Sequence, residues 1–475
     1  MRTDDQKDFD KLLTDSLPEL PPEDIAHDVS PWRVHMRNVL CGLALTLVTF
    51  NLSWLTYMLV LCGALRLFLG LRALRKTDRA FAVGTIAALA NLVAKGAMII
   101  LGSTVIRIQH LTTALTVASI ISCVIILISL AVGLGNIIPG GTKAFWLLVW
   151  YLVICVLGLM NYTGIILSLA MVAAYILILR LLWKLSGELE DNGYAIVPVA
   201  PRLSDRTVTV ISIATILVGI AAGFLFGSKY PMKWRPAESG TSKVREELLE
   251  LGFPSDVLAD LTDEEITDCE GAARVVVSTK DHPVNRGETK KWTNDSTTNI
   301  STIYPKNELR LTSVAVKLKE SNEWRVIHHF RFVEKTKFPG TESITPWSAE
   351  YLRRDEESIS GRILCEKNGA TLTADYYFSG HRGYETDTLL WGTSDRNDFF
   401  AEFSFDGGEN QRGYITFTAF APDGAYFDSW LNYTHQRGIF NYPAESAGEY
   451  RRKYLFNDYN FVTVQDALQF ATDEE

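Results

Sequence analysis

The stretch Thr207–Gly227, TVTVISIATILVGIAAGFLFG, runs 21 residues without a charge. A bilayer core about 30 Å thick is crossed by about 20 apolar residues in a helix. Lipid offers the backbone no hydrogen-bond partners, so a helix is the one local structure this stretch can adopt there. Six further segments share its character, at about 33–50, 54–74, 80–104, 110–133, 144–160 and 162–184. Seven transmembrane helices are therefore expected within residues 31–227. From Val39 to Leu71 the one charge is Arg66, and that run is too long for one straight span. Asn51 and Ser53 favour a turn within it, so residues 33–74 read as a helical hairpin, with a single span, which would move the amino terminus outside, as the alternative. Ser30, Pro31 and Trp32 suit an N-cap, a first helical residue and an interfacial aromatic at its start.

Charge divides the chain in two. Residues 1–227 hold 17 Lys and Arg against 14 Asp and Glu, and nine of those acids fall in the first 28 residues. Residues 228–475 hold 29 against 41. The acidic second half argues against nucleic acid as a partner, because phosphates need positive charge. Residues 1–30, acidic and with three prolines, read as a disordered cytoplasmic tail rather than a signal peptide. Arg72, Arg75, Lys76 and Arg79 lie at the end of the second span and just after it, and Arg180, Lys184, Arg202 and Arg206 at the end of the sixth and after it. The connections after spans one and five have no basic residue, and the one after span three has Arg107 alone. Since basic loops stay inside, the amino terminus is expected in the cytoplasm and everything after Gly227 outside the plasma membrane.

Polar groups inside spans are functional suspects. Arg66, Asn91 and Lys95 qualify, either as ligand groups or as side chains satisfied within the bundle. The spans contain no Asp or Glu, which disfavours a carboxylate-based proton or cation relay. Gly219, Gly223 and Gly227 recur once per turn and suit close packing against another helix of the bundle.

After a linker at 228–243, residues 244–272 have helical periodicity and read as two short helices. Val244, Leu248 and Leu251 share one face, Gly252-Phe253-Pro254 ends it, and Ser255 and Thr262 can each cap a new helical turn. Leu248, Leu249, Leu251, Phe253, Val257, Leu258 and Leu261 need a surface to pack on, and the next domain is the expected one.

From residue 273 to 475 the period is two. Eight or more short strands, including ARVVVSTK, NEWRVIHHFRFVE and DFFAEFSF, alternate with turn signals at Asn368-Gly369, Asp406-Gly407-Gly408 and Pro422-Asp423-Gly424. An extracytoplasmic β-sandwich, jelly-roll-like, is expected. Cys269 and Cys365 are the two cysteines of this half and are either one disulfide or two buried thiols. No nucleotide, zinc-protease or nucleophile-elbow motif is present, and none calls for a cofactor or metal. His328 and His329 are adjacent in a strand and so face opposite ways, one to the core and one to the surface. Glu402 and Asp375 could form a glycosidase pair, but a sandwich of this size carries many acids. Asp406–Asn410 reads as a hairpin turn rather than a calcium loop. Phe338–Tyr351 reads as a long loop presenting Trp347 and Tyr351, and Asp428–Pro443 carries Trp430, Tyr433, His435 and Arg437. These six are the candidate ligand-binding residues, with core packing as the alternative.

LPPEDIAHDVSPWR before the first span, ELLELGFPSDVLADLTDEEI after the last, HHFRF with GTESI, GENQRGYITFT, DSWLNYTHQ and TVQDALQF together resemble a set of multi-pass membrane proteins of Gram-positive gut anaerobes. The resemblance covers nearly the whole chain. It implies the same layout in a bacterial plasma membrane, and neither an activity nor a catalytic residue. The expectation is a non-catalytic receptor, sensor or accessory protein that sits in the lipid bilayer and binds a cell-wall glycan, peptide or protein partner outside. A surface enzyme on wall glycans or peptides is the alternative, and a transporter or transporter subunit the second.

Overall fold

The computed structural model describes residues 30–475 apart from 48–53, 161, 163, 193, 197–202, 239–242, 295–296, 304–307, 320–321, 335–337, 349–351, 389–391, 439–440, 455–456 and 474–475, with side chains left out at 30–31, 195, 288–300 and 384–397. The acidic tail, the turn at Asn51 and Ser53, and Tyr351 lie outside the described residues. Two compact units emerge, Met1–Leu101 with Arg107–Ile220, and Gly102–Ile106 with Ala221–Glu475.

The first unit is helical: α1 (Trp32–Leu47), α2 (Trp54–Leu74), α3 (Arg79–Leu101), α4 (Gln109–Ile137), α5 (Phe145–Leu159), α6 (Ile165–Asp191) and the start of α7 (Asp205–Gly227). Among the described residues, six helical segments are long and apolar enough to cross a membrane: α2, α3, α4, Gly141–Leu159, α6 and α7. The 16 residues of α1 fall short of that length; at 1.5 Å per residue they reach about 24 Å. The described residues of 33–74 form two helices, α1 and α2, and their backbones come very close. A Cβ added to Gly42 would lie 2.6 Å from the Leu67 nitrogen and 2.8 Å from the Gly63 oxygen. Small residues at such a crossing replace the hydrophobic effect with tight van der Waals contact.

Trp32 departs from expectation. It is fully buried, edge-on to Phe81 at 6.1 Å and to Tyr194 at 5.6 Å between ring centroids, so it belongs to the helical core rather than to an interface. The helix begins at Trp32, and Ser30–Pro31 instead forms a short strand (β1) paired with Ala195–Ile196 (β2).

The second unit is a sandwich of two antiparallel sheets. The larger follows the order β3 (Arg235–Pro236), β12 (Ala370–Ala374), β11 (Ser360–Lys367), β15 (Glu409–Phe420), β8 (Glu323–Phe332), β7 (Leu309–Leu318), β4 (Ala272–His282), with β10 (Arg353–Arg354) beside β15. The smaller runs β13 (Phe378–Thr388), β14 (Gly392–Ser404), β9 (Thr341–Ser348), β16 (Tyr426–Gln436), β17 (Phe461–Ala471). A separate hairpin pairs β5 (Glu288–Asn294) with β6 (Thr297–Ile303). Between the sheets lie Leu311, Phe330 and Ile415 from one side and Ile344, Phe403 and Tyr433 from the other. The order departs from a jelly roll. β7–β8, β11–β12, β13–β14 and β16–β17 are each hydrogen-bonded to their sequence neighbour, so local hairpins rather than long wraps build the sheets. Asn368 and Gly369, at φ +54° and +77°, make the β11–β12 turn, as the two positive φ values of a tight hairpin require. The Asp406–Asn410 stretch is not a hairpin: it carries the chain from β14 in one sheet to β15 in the other.

The junction segment forms three short helices, α8 (Lys243–Glu250), α9 (Ser255–Asp260) and α10 (Asp263–Thr267). Thr262 and Glu265 make the reciprocal capping box. Ser255 caps nothing; Pro254 occupies the cap position of α9. Leu248, Phe253, Val257, Leu258, Leu261 and Ile266 pack on Val314, Val316, Ile327, Leu364 and Tyr414, the outer face of the larger sheet. Burying each of those six side chains favours folding by about 1.5–3 kcal/mol before entropy. Leu249 and Leu251 instead stay 45% and 38% exposed.

Candidate functional site

β9 and β16 are antiparallel neighbours, and Trp430 lies directly opposite Trp347. Their rings stack face to face, 5.0 Å between centroids and 8° from parallel. The stretch that holds Trp347 is a strand, not the loop read from Phe338 to Tyr351. Pro346 is why it reads as a loop, since proline cannot donate to a ladder. β14 pairs with β9 only as far as Ile344, so Pro346 sits where that side is already an edge, and its carbonyl accepts from Arg354 at 2.7 Å.

Period two then sorts the six candidate residues. Trp347 and Trp430 share the outer face of the smaller sheet with Ser343, Thr345, Asn432 and Thr434. Tyr433 and His435 point the other way and are fully buried in the sandwich. Arg437 lies past the end of β16, where its backbone N–H donates to the Asn460 carbonyl at 2.7 Å and its guanidinium to that of Asp458. The structure therefore brings together Trp347 and Trp430 and separates them from the other three described residues.

Four polar atoms on this outer face are shielded from water and meet no hydrogen-bond partner among the described residues: Nε1 of Trp347, Nε1 of Trp430, Oδ1 of Asn432 and Oγ of Ser343. Each unmet buried group costs about 1–3 kcal/mol. The set is two donors, one acceptor and one hydroxyl beside a flat aromatic surface. All four atoms are enclosed, so what this face offers a ligand is the half-buried tryptophan pair itself. Ser343 and Asn432 carry no signal of their own in the sequence; their alternation with Trp347 and Trp430 becomes one only once β9 is recognised as a strand.

Arrangements that look catalytic are sealed. His328 bridges the sheets, its Nδ1 2.7 Å from the Ser313 hydroxyl and its Nε2 2.9 Å from that of Ser429. All three residues are at most 1% exposed, and burial, with Arg354 adding to it, pushes the imidazole pKa down to about 3. A neutral, enclosed histidine cannot meet a substrate. Glu342 and His435 pair at 2.7 Å on the core side, where burial raises the Glu342 pKa although His435 opposes the shift. Glu402 is 1% exposed and fully engaged by Tyr230 at 2.5 Å, Arg452 at 2.7 Å, Arg382 at 3.2 Å and Ser446 at 3.2 Å. Arg452 and its helix, α11 (Ala447–Lys453), cover the Thr341 end of this face, the opposite end of β9 from Trp347. Asp375 follows a strand of the other sheet and is held by Arg235 at 2.8 and 3.0 Å, so the two acids serve separate structural roles.

His329 corrects the reading of one histidine inside and one at the surface. Both are buried, because the junction helices cover the outer face on which His329 stands. Cys269 and Cys365 are both buried and unpaired with each other. Among the described residues, no cluster of three or more His, Cys, Asp or Glu could hold a metal.

Within the helical unit, Asn91 is 1% exposed and ties α3 to α4, its Nδ2 donating to the Ser119 carbonyl at 3.0 Å and hydroxyl at 3.2 Å, with Cys123 Sγ at 3.5 Å. Lys95, one turn on, is half-buried beside Cys123. Arg66 is exposed on α2. A Cβ on Gly219 would meet Ile100 of α3 at 2.5 Å, and one on Gly227 would meet Thr104 at 2.6 Å; Gly223 lies between them on α7.

No protein-family model matches the chain, and no curated protein matches it. Among solved structures, the collagen-binding subdomain of the Enterococcus faecalis surface protein ACE matches at 14% identity and a TM-score of 0.20, over 32% of this chain and 88% of that one. The T6 backbone pilin of serotype M6 Streptococcus pyogenes matches at 13% identity and a TM-score of 0.18, over 41% of this chain and 35% of the pilin. At such scores neither likeness bears on what this chain does.

Proposed function

We propose that the chain is an integral protein of a bacterial plasma membrane, crossing it seven times, whose extracytoplasmic β-sandwich binds a ligand or protein partner without catalysis. The observation that carries the binding role is the stacked, half-buried Trp347–Trp430 pair on the outer face of the smaller sheet. Aromatic planes bordered by hydrogen-bonding groups suit the faces and hydroxyls of wall glycans and the amides of peptides. The sealed state of His328, Glu342 and Glu402 supports a non-catalytic reading. The alternation of basic loops supports the orientation. The membership of Gly102–Ile106 in the sandwich unit supports four crossings by α4 to α7: with that number, the connection after span three and the segment after span seven share a side.

The test is to titrate the full chain in nanodiscs with wall-glycan fragments and peptides, following both binding and turnover. Binding that weakens about tenfold or more in Trp430→Ala, with no turnover, is the expected result. Turnover of any fragment would replace this reading with the surface enzyme. Uptake of solute into vesicles carrying the chain would favour the transporter.

A further inference from the structure

The four cations Arg72, Arg75, Lys76 and Arg79 crowd eight residues at the α2–α3 connection. Next to them lies a cleft of about 590 Å³ between α2, α3 and α7. Its walls are apolar, with Phe68 of α2, Leu89 of α3 and Val208 and Ile211 of α7, and its mouth holds Arg72 and Arg75. The cleft lies beside the amino-terminal half of α7. Near its middle α7 meets α3 closely, with Ile216 3.3 Å from a Cβ placed on Gly96 and Ile100 against Gly219. Toward Asp205, Ile211 of α7 and Leu89 of α3 stay 52% and 46% exposed. Only 6% of the α7 span is buried, against 44% and 50% for those of α2 and α3.

A wedge with such walls, within hydrocarbon, holds neither a void nor ordered water at low cost. An acyl chain fits it. The mouth needs an anion. Arg72 donates to the Leu203 carbonyl and has Asp205 at 3.5 Å, a carboxylate that is 58% exposed. Among the described residues Arg75 meets no carboxylate, and the nearby Asp78 is turned to the Ala80 N–H at 2.7 Å and the Asn136 amide at 3.1 Å. We propose that this cleft is a binding site for one anionic phospholipid, with the phosphate on Arg75 and Arg72 and one acyl chain between Phe68, Leu89 and Ile211. Basic mouths over apolar grooves between transmembrane helices suit this ligand class, and the phosphate gains charge-assisted hydrogen bonds from a planar guanidinium. The inference is independent of what the sandwich binds.

The experiment delipidates the full chain in detergent and titrates it with phosphatidylglycerol or phosphatidylcholine, counting retained lipids by native mass spectrometry. One phosphatidylglycerol per chain should persist, with phosphatidylcholine about tenfold weaker or more. Arg75→Gln should erase that preference, and Ile211→Trp, which fills the cleft without touching a charge, should weaken both lipids. Equal retention of the two lipids by the native chain, or an unchanged preference in Arg75→Gln, overturns the proposal. Displacement of phosphatidylglycerol by millimolar glycerol phosphate would also overturn it, since the site would then take a soluble phosphate.

Discussion

Nε2–H of His329, in β8, donates to Oδ2 of Asp260, the last residue of α9, at 2.9 Å, and both side chains are at most 3% exposed. Arg412 Nε reaches both oxygens of the same carboxylate at 2.9 Å, and Arg362 donates to the Asp260 carbonyl at 2.7 Å. The junction helices are thus latched to the larger sheet by a buried charge network as well as by their leucines.

Removing the carboxylate leaves buried Arg412 with the Asn410 carbonyl at 2.9 Å and Glu366 at 3.5 Å, a loss of about 3 kcal/mol, the low end of the usual cost of breaking a buried pair. Asp260→Ala should lower the urea midpoint of the sandwich accordingly, read by tryptophan fluorescence. Asp375→Ala, which breaks an ion pair on a carboxylate that is 70% exposed, should cost under about 1 kcal/mol. Equal effects of the two variants would mean the latch is not a latch. Burial opposes the charged form of Asp260, but the His329 hydrogen bond and Arg412 outweigh it and hold its pKa below 3.8. A carboxyl depressed in the folded state stabilises above its unfolded pKa. This contribution should therefore be complete above about pH 4 and fade below it.

His328 gives a second, separable pH effect. Its folded pKa, about 3, lies below its ordinary 6.5, so between those values the unfolded chain binds the extra proton. Stability should be full above pH 6.5 and fall on acidification by up to ~1.4 kcal/mol per pH unit. His328→Gln cannot titrate there. Its loss of stability between pH 6.5 and 5 should be smaller than that of the native chain by up to about 2 kcal/mol. Parallel pH profiles for the two proteins would remove His328 from the account.

Much of this molecule is legible in one dimension because two periods dominate it. Uncharged runs of about 20 residues mark the helices, and alternation in stretches such as Phe399–Phe405 marks inward faces. The hidden features depend on partners far away in sequence. β9 reads as a loop because Pro346 and Gly340 argue against a strand, and only the short reach of β14 makes the proline harmless. Trp32 reads as interfacial because the sequence cannot show Phe81 and Tyr194 closing over it. One of His328 and His329 reads as exposed because nothing local says that helices from about 70 residues earlier cover the face on which His329 stands. The binding candidate is half visible. Trp347 and Trp430 stand out as aromatics, but grouping Tyr433 and His435 with them ignores that odd and even positions of one strand never share a face.

The α1–α2 hairpin should fail at a single methyl group. A Cβ on Gly42 would overlap backbone atoms of Leu67 and Gly63, which cannot swing aside as a side-chain tip can. Overpacking of this kind typically costs about 1–3 kcal/mol. Gly42→Ala should lower the thermal midpoint of the detergent-solubilised chain, whereas Gly187→Ala, with open space around its Cβ position, should leave it unchanged or raise it slightly. Indistinguishable midpoints would show that the two helices are not so closely apposed in the bilayer.

Orientation can be read from two single-cysteine variants in a cysteine-free background. Lys76 is exposed in the basic connection between α2 and α3, and Lys280 is exposed on β4 of the sandwich. If basic loops face the cytoplasm, a membrane-impermeant maleimide added to intact cells should label Lys280→Cys at once and Lys76→Cys only after permeabilisation. The opposite pattern would invert the protein and move the sandwich, with its tryptophan pair, to the cytoplasmic side. Labelling of both from outside would mean an even number of crossings between them. α3 to α7 supply five, so one of the five would then have to lie outside the bilayer; α5 would be the first to re-examine, because its span of 19 residues is the shortest of the six long apolar segments.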